Sequence, residues 1–268
     1  MEYKHISQNK TMLTDYYELT MSQAYFNQGL KDTIAYFDIF FRKVPDGGGY
    51  AIMAGLEQAI SYVENLHFTE EDLEFLRQTG DFSEDFLAYL RDMAFSCDIW
   101  AIPEGTPIFQ GEPILKVRGP VIQAQIIETM LLLTINHQSL IATKSSRIVS
   151  QAAGRPVSEI GARRAQGSDA SVLGARAAYI GGVASTSCTL AGEIFGIPLS
   201  GTMAHSFVQL YDSEFEAFKA YAESYPDNTV LLIDTYNVLE SGLPNAIRTA
   251  KEVLEPMGKR LKGVRIDS

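Results

Sequence analysis

The sequence predicts an α/β protein in two parts, an α+β domain over residues 1–120 that includes a β-meander, and an α/β domain over 121–268 with parallel strands joined by helices. Three observations lead there. Early in the chain, apolar residues at helical spacing alternate with short aromatic and β-branched runs closed by Gly and Pro clusters. After Gly154-Arg155-Pro156 the pattern becomes strand then helix, repeated, which is the signature of parallel strands with helical crossovers in an α/β barrel or a doubly wound sheet. The third is bulk: 268 residues, 46% hydrophobic and 21% charged, supply a large core and lack the composition of disorder.

Taken in order, Thr14 to Gln28 reads as a helix, with Thr14 and Asp15 as alternative caps and Leu19, Ala24, Tyr25 and Phe26 among polar partners. Thr33 to Val44 reads as a strand, closed by the Pro45-Asp46-Gly47-Gly48-Gly49 turn. Helical spacing follows over Ala51–Leu66 and Glu70–Phe95, with capping signals at Thr69 and Ser83. From Asp98 to Gly119, three β-rich runs divided by Pro and Gly predict a small meander or half-barrel. Val121 to Ala153 is one long helix or two consecutive ones. Strands are then expected at 157–164, around Ile197 to Ser206, at 229–236 and before Ser268, with helices at 168–180, 186–195, 213–224 and 243–257. The last strand has no helix after it, so a barrel begun at Val157 would hold about half its strands, and the chain is expected to be a fragment.

Composition also excludes function classes. A net charge of −11 provides no global footprint for nucleic acid or an anionic membrane surface, so an anionic ligand must be met by local cations. Cys97 and Cys188 lack CxxC spacing and fit a reducing, cytoplasmic setting better than a disulfide scaffold. The polar start carries no apolar signal core, and Val121–Ile135 is too short and too polar to span a bilayer. There is no P-loop, no strand-coupled GxGxxG and no nucleophile elbow.

Four strand ends attract chemistry. Arg163 and Arg164 suit phosphate or carboxylate through bidentate hydrogen bonds, or are surface ion-pair partners among 33 carboxylates. His205, in Gly201-Thr202-Met203-Ala204-His205-Ser206, has small neighbours that leave room for a ligand and hydroxyls that could orient it, or is a structural histidine. Asp234 and Asp267 end apolar strands, where a carboxylate binds magnesium or ribose hydroxyls, or caps a helix. Arg265 stands beside Asp267. His67 and His137 are read as structural and His5 as part of a mobile end.

Together, TDYYELTM (14–21), FFRKVPDGGGYAI (40–52), EIGARRAQG (159–167), GGVASTSCTLAG (181–192), SGTMAHSFV (200–208), LLIDTYNVLESGLPNA (231–246) and GVRIDS (263–268) resemble the nicotinate phosphoribosyltransferase family in order and spacing. The resemblance spans nearly the whole chain. It implies an α/β barrel of the type II phosphoribosyltransferase kind, incomplete at its C-terminal end. It further implies an ATP-dependent, ligase-type transfer of phosphoribosyl from phosphoribosyl pyrophosphate to nicotinate, releasing nicotinate mononucleotide and pyrophosphate in NAD biosynthesis. A relative acting on nicotinamide or quinolinate is the near alternative, and a non-catalytic fragment or subunit the distant one if the chain ends at Ser268. By motif, His205 would carry a phosphoryl group from ATP, with Asp234 and Asp267 as catalytic carboxylates and possible magnesium ligands. Tyr17 would meet the nicotinate ring across a homodimer interface. Arg163, Arg164, Thr202, Ser206 and Arg265 would bind substrate. Cys188 stands where the family pattern expects asparagine, and Asp46 where it expects a hydrophobic residue.

Overall fold

The computed structural model describes residues 9–267, so His5 and the final serine of the GVRIDS run lie outside the described residues. The chain divides into two compact units, Met1–Leu199 and Ser200–Ser268.

In the first unit, α1 (Tyr16–Asn27) precedes β1 (Ile34–Ile39), β2 (Ala51–Ile52) and three helices, α2 (Leu56–Glu64), α3 (Glu70–Thr79) and α4 (Glu84–Asp92). The α3 start is fixed by a capping box: Thr69 Oγ1 accepts the Asp72 amide at 3.2 Å, and Asp72 accepts the Thr69 amide at 2.8 Å. Gly80, at φ 78°, ends α3, and Ser83 caps α4. The helical segment from Glu70 to Phe95 therefore turns a corner before the expected Ser83 cap, burying Leu73, Leu76, Phe86, Leu87 and Leu90 completely.

The strands β3 (Asp98–Ala101), β4 (Pro107–Ile108) and β5 (Leu115–Pro120) follow. The first sheet has the order β1-β5-β3, antiparallel throughout, while β4 pairs with β2 in a separate two-stranded ribbon. This differs from the expected meander. Ala51 and Ile52, expected at the start of a helix, pair as strand because α6 (Glu128–Gln151) draws them in: the Ile52 amide donates to Thr143 Oγ1 at 2.8 Å and the Ala54 amide to Ser139 Oγ at 3.0 Å. The β1 ladder stops at Ile39, opposite Leu115, where β5 begins, so Phe40–Val44 has no strand partner there.

The polypeptide passes from β5 straight into α5 (Val121–Ile126), whose Ile122, Ala124 and Ile126 share one core with Leu73, Phe86 and Leu115. Apolar packing is thus continuous across residue 120, and the compact units divide at 199/200, away from the domain boundary expected at 120/121. Beyond α6 come β6 (Ser158–Glu159), α7 (Ser168–Ile180), β7 (Ser185–Thr186) and α8 (Thr189–Phe195). β6 and β7 are parallel, and the strand expected around Ile197 is reduced to a single parallel bridge between Thr186 and Leu199.

The second unit contains α9 (His205–Gln209), α10 (Glu214–Ser224), β8 (Val230–Leu232), α11 (Leu243–Thr249) and β9 (Gly263–Arg265). β8 and β9 pair in parallel, and Phe218, Val208, Leu231, Leu232 and Ile233 form its core. Strand followed by helix is present as expected. Among the described residues the short parallel strands close no barrel, and the fold is mixed α/β. Among the same residues no helix is long and apolar enough to cross a membrane.

Candidate functional site

The parallel register of β8 and β9 sets the site. Leu232 pairs with Arg265, and the Ile233 amide donates to the Arg265 carbonyl at 3.0 Å, so both chains leave the ladder side by side and place Asp234 next to Asp267. The Asp267 amide donates to Asp234 Oδ2 at 2.8 Å. His205, the first residue of α9, stands over this pair, with Nε2 at 4.0 Å from Asp234 Oδ1 and 3.8 Å from Asp267 Oδ2. Those separations are too long for hydrogen bonds.

Arg265 turns towards the same cluster. Its Nη1 donates to Thr202 Oγ1 at 2.6 Å, its Nη2 to the Met203 carbonyl at 3.2 Å, and Nη2 lies 3.6 Å from Asp267 Oδ2. Two buried polar atoms here lack hydrogen-bond partners, Asp234 Oδ1 and Arg265 Nε. An unsatisfied acceptor and donor at the mouth of a strand pair are what a polar ligand would satisfy.

The structure therefore brings together Thr202, His205, Asp234, Arg265 and Asp267; Asp234 and Asp267 follow the ends of β8 and β9, while His205 starts α9 and does not follow the strand expected before it. Ser206 is exposed on α9, and no side-chain bond among the described residues ties it to the cluster. Thr235 was not singled out in the sequence, yet its Oγ1 lies 3.1 Å from His205 Nδ1. The signal that could have found it is its place directly after Asp234 at the end of an apolar strand.

Tyr17, Arg163 and Arg164 belong to the first unit. The Tyr17 hydroxyl, partly desolvated although the side chain is exposed, and donating to Glu128 Oε1 at 3.0 Å, has its pKa pushed up to about 12. Glu128 also lines a cavity of about 290 Å³ with Phe37, Val117, Leu131 and Leu132. Arg163 and Arg164 occupy a 3₁₀ turn where a strand was expected, because Glu159 bends the chain by accepting the Gly161 amide and, at 2.6 Å, the Thr186 hydroxyl. Both arginines are exposed, and no ion pair holds either among the described residues.

The corner that carries Asp234 has no slack. Asn237 caps the following turn by accepting the Leu239 and Glu240 amides, both at 3.0 Å, and Gly242 packs its Cα against the Ile233 backbone. A methyl group on Gly242 would collide with the Ile233 carbonyl oxygen. Gly242→Ala is expected to cost about 1–3 kcal/mol through overpacking and to displace Asp234. Urea unfolding would read the first effect, and the position of Asp234 in a crystal structure of the variant the second.

In comparison with known proteins, residues 12–136 match the family model described as the nicotinate phosphoribosyltransferase N-terminal domain. Nicotinate phosphoribosyltransferase pncB2 of Mycobacterium tuberculosis is 47% identical over 259 residues, covering 96% of this chain and 54% of the relative. Nicotinate phosphoribosyltransferase of Bacillus subtilis is 45% identical over 270 residues, covering 100% and 54%. The crystal structure of human nicotinic acid phosphoribosyltransferase superposes with a TM-score of 0.88 at 33% identity, over 95% of this chain and 61% of that one. The chain is a homologue of the nicotinate phosphoribosyltransferases, and it spans about half the length of the curated relatives it matches.

Proposed function

We propose that this chain carries part of the active site of an ATP-coupled nicotinate phosphoribosyltransferase, with His205 as the group that accepts a phosphoryl from ATP. The observation that carries this reading is the cluster itself, an imidazole held beside two carboxylates and an arginine at the end of a parallel strand pair. A neutral ring nitrogen is a competent nucleophile towards phosphorus. A nitrogen–phosphorus bond forms, the bond from the γ-phosphorus to its bridging oxygen breaks, and ADP leaves.

Arg265 supplies the fixed positive charge that a phosphate-rich substrate needs in a protein of net charge −11. Thr202 and Met203 brace its guanidinium from one side. No group of three or more His, Cys, Asp or Glu side chains converges as a metal cage among the described residues. The donors present fit magnesium all the same, because that ion is held by one or two carboxylates plus substrate phosphates. Asp234, with its buried and unpartnered Oδ1, and Asp267 would hold it. When bound it neutralises phosphate charge.

In the transfer step the nicotinate ring nitrogen forms a bond to the ribose C1 as the bond to pyrophosphate breaks, and a neighbouring carboxylate stabilises the oxocarbenium-like charge. Tyr17 supports a nicotinate contact through a ring whose hydroxyl is pinned by Glu128, and the exposed Arg163 and Arg164 are the proposed partners of carboxylate or phosphate. The proposed assembly is a homodimer, the product an NAD precursor, and the parent fold an α/β barrel of the type II phosphoribosyltransferase kind.

Incubation with γ-labelled ATP and magnesium, followed by mass spectrometry of the peptide containing His205, tests the reading. Acid-labile label at His205, absent from His205→Ala, is the expected result. Label elsewhere, or none in a chain extended to the length of its relatives, would overturn it.

A further inference from the structure

One nitrogen of His205 is held by a group with no role assigned above. Thr235 Oγ1 lies 3.1 Å from Nδ1, while Nε2 faces the Asp234 and Asp267 carboxylates. The backbone under Thr235 is fixed on both sides, by the Ile233 amide bonded to the Arg265 carbonyl and by the Asn237 cap of the next turn. The hydroxyl is thus aimed by the corner, and the ring is aimed by the hydroxyl.

The other polar groups facing the ring have one sense each. An ionised carboxylate only accepts hydrogen bonds and a guanidinium only donates them, whereas a hydroxyl does either. With the ring proton on Nε2, towards the carboxylates, the Thr235 hydroxyl donates to Nδ1. With the proton on Nδ1, the same hydroxyl accepts it and Nε2 presents its lone pair. The partner of one imidazole nitrogen governs the state of the other, and here that partner serves both states without rotation of the ring.

We propose that Thr235 is a positioning residue for His205, its hydroxyl holding Nδ1 in either tautomer so that Nε2 stays directed at the Asp234–Asp267 pair. The assignment rests on His205 being the phosphoryl acceptor, and its test is independent of turnover.

The experiment is long-range ¹H–¹⁵N correlation NMR of the full 268-residue chain labelled at its four histidines, with the His205 signals identified by their loss in His205→Ala. Thr235→Val, nearly isosteric and without the hydroxyl, is expected to shift the Nδ1 resonance to that of a ring nitrogen with no hydrogen bond. Thr235→Ser is expected to restore the original position. Should the valine variant fail to fold, Thr235→Ala is read the same way. An unshifted Nδ1 in the valine or alanine variant, or a serine variant that does not restore it, overturns the proposal. Because the spectra are recorded without substrate, failure of ATP to label His205 would strike the phosphoryl-acceptor reading and leave the ring geometry measured on its own.

Discussion

Arg176→Ala is expected to destabilise the first unit by about 3–5 kcal/mol, the cost of removing one partner from a buried ion network. Arg176 is 8% exposed on α7 and donates from Nη1 and Nη2 to Glu104 at 2.9 and 2.7 Å, from Nη1 to Gln138 at 3.3 Å, and from Nη2 to Glu57. Glu104 in turn accepts the amides of Gly55 and Leu56 at 2.6 and 3.0 Å, so one carboxylate fixes both the start of α2 and the guanidinium of α7. Truncating the arginine leaves that carboxylate, whose side chain is only 21% exposed, without its counter-charge. A fall in the thermal midpoint of roughly 10 °C or more is the corresponding calorimetric result. Arg176→Lys is expected to recover only part of it, since an ammonium cannot reproduce the bidentate fork. A variant within experimental error of the parent would show that the network is energetically idle.

The same carboxylate makes this network sensitive to acid. Burial opposes ionisation of Glu104, but the bonds and charge of Arg176 and the two amides outweigh it and leave the carboxyl below its ordinary value of 4.5. A depressed folded-state pKa contributes stability above the unfolded value, and that stability is lost as pH falls through the folded one. The contribution is therefore complete at neutral pH, shrinks as pH falls past the ordinary carboxyl value of 4.5, and is gone once pH lies below the depressed folded-state value. In Arg176→Ala the acid limb of the stability profile should flatten.

Phe218→Ala is expected to cost about 3–5 kcal/mol, and in the second unit that approaches the whole stability available to so small a core. Phe218 is completely buried among Met203, Val208, Leu231, Leu232 and Ile233. These residues flank His205 and Asp234 in sequence, so the core that Phe218 fills is also the support of the candidate site. Hydrogen exchange would show lost protection at Leu231–Ile233 with Leu73 and Phe86 unchanged. Uniform protection in both units would contradict it.

Much of this fold was readable beforehand, and the reasons differ by element. The helices α3, α4 and α10 carry their own capping residues, Thr69, Ser83 and Ser213, and apolar spacing, so local chemistry suffices to find them. The strands do not. β2, β4, β6 and β7 are two residues long and exist because a distant segment pairs with them, as α6 draws Ile52 and Ala54 into place. Of the candidate site, the places of Asp234, Arg265 and Asp267 were legible because strand ends gather polar groups next to apolar runs, whereas the strand expected before His205 does not form. The pairing of Arg176 with Glu104 and Glu57, and of Thr235 with His205, was not, since none of those contacts leaves a periodic trace.

The span of the contacts described above also orders the assembly of the chain in time. The Arg176–Glu57 bond joins residues 119 apart, whereas the longest bond of the His205 cluster, Arg265–Thr202, joins residues 63 apart. Closing the longer loop costs about 0.6 kcal/mol more in chain entropy, and contacts of long sequence separation are the slow ones in folding. The His205 cluster is therefore kinetically the more local of the two structures, able to form on its own segment. The arginine network locks only after α7 has met a helix from the opposite end of its unit.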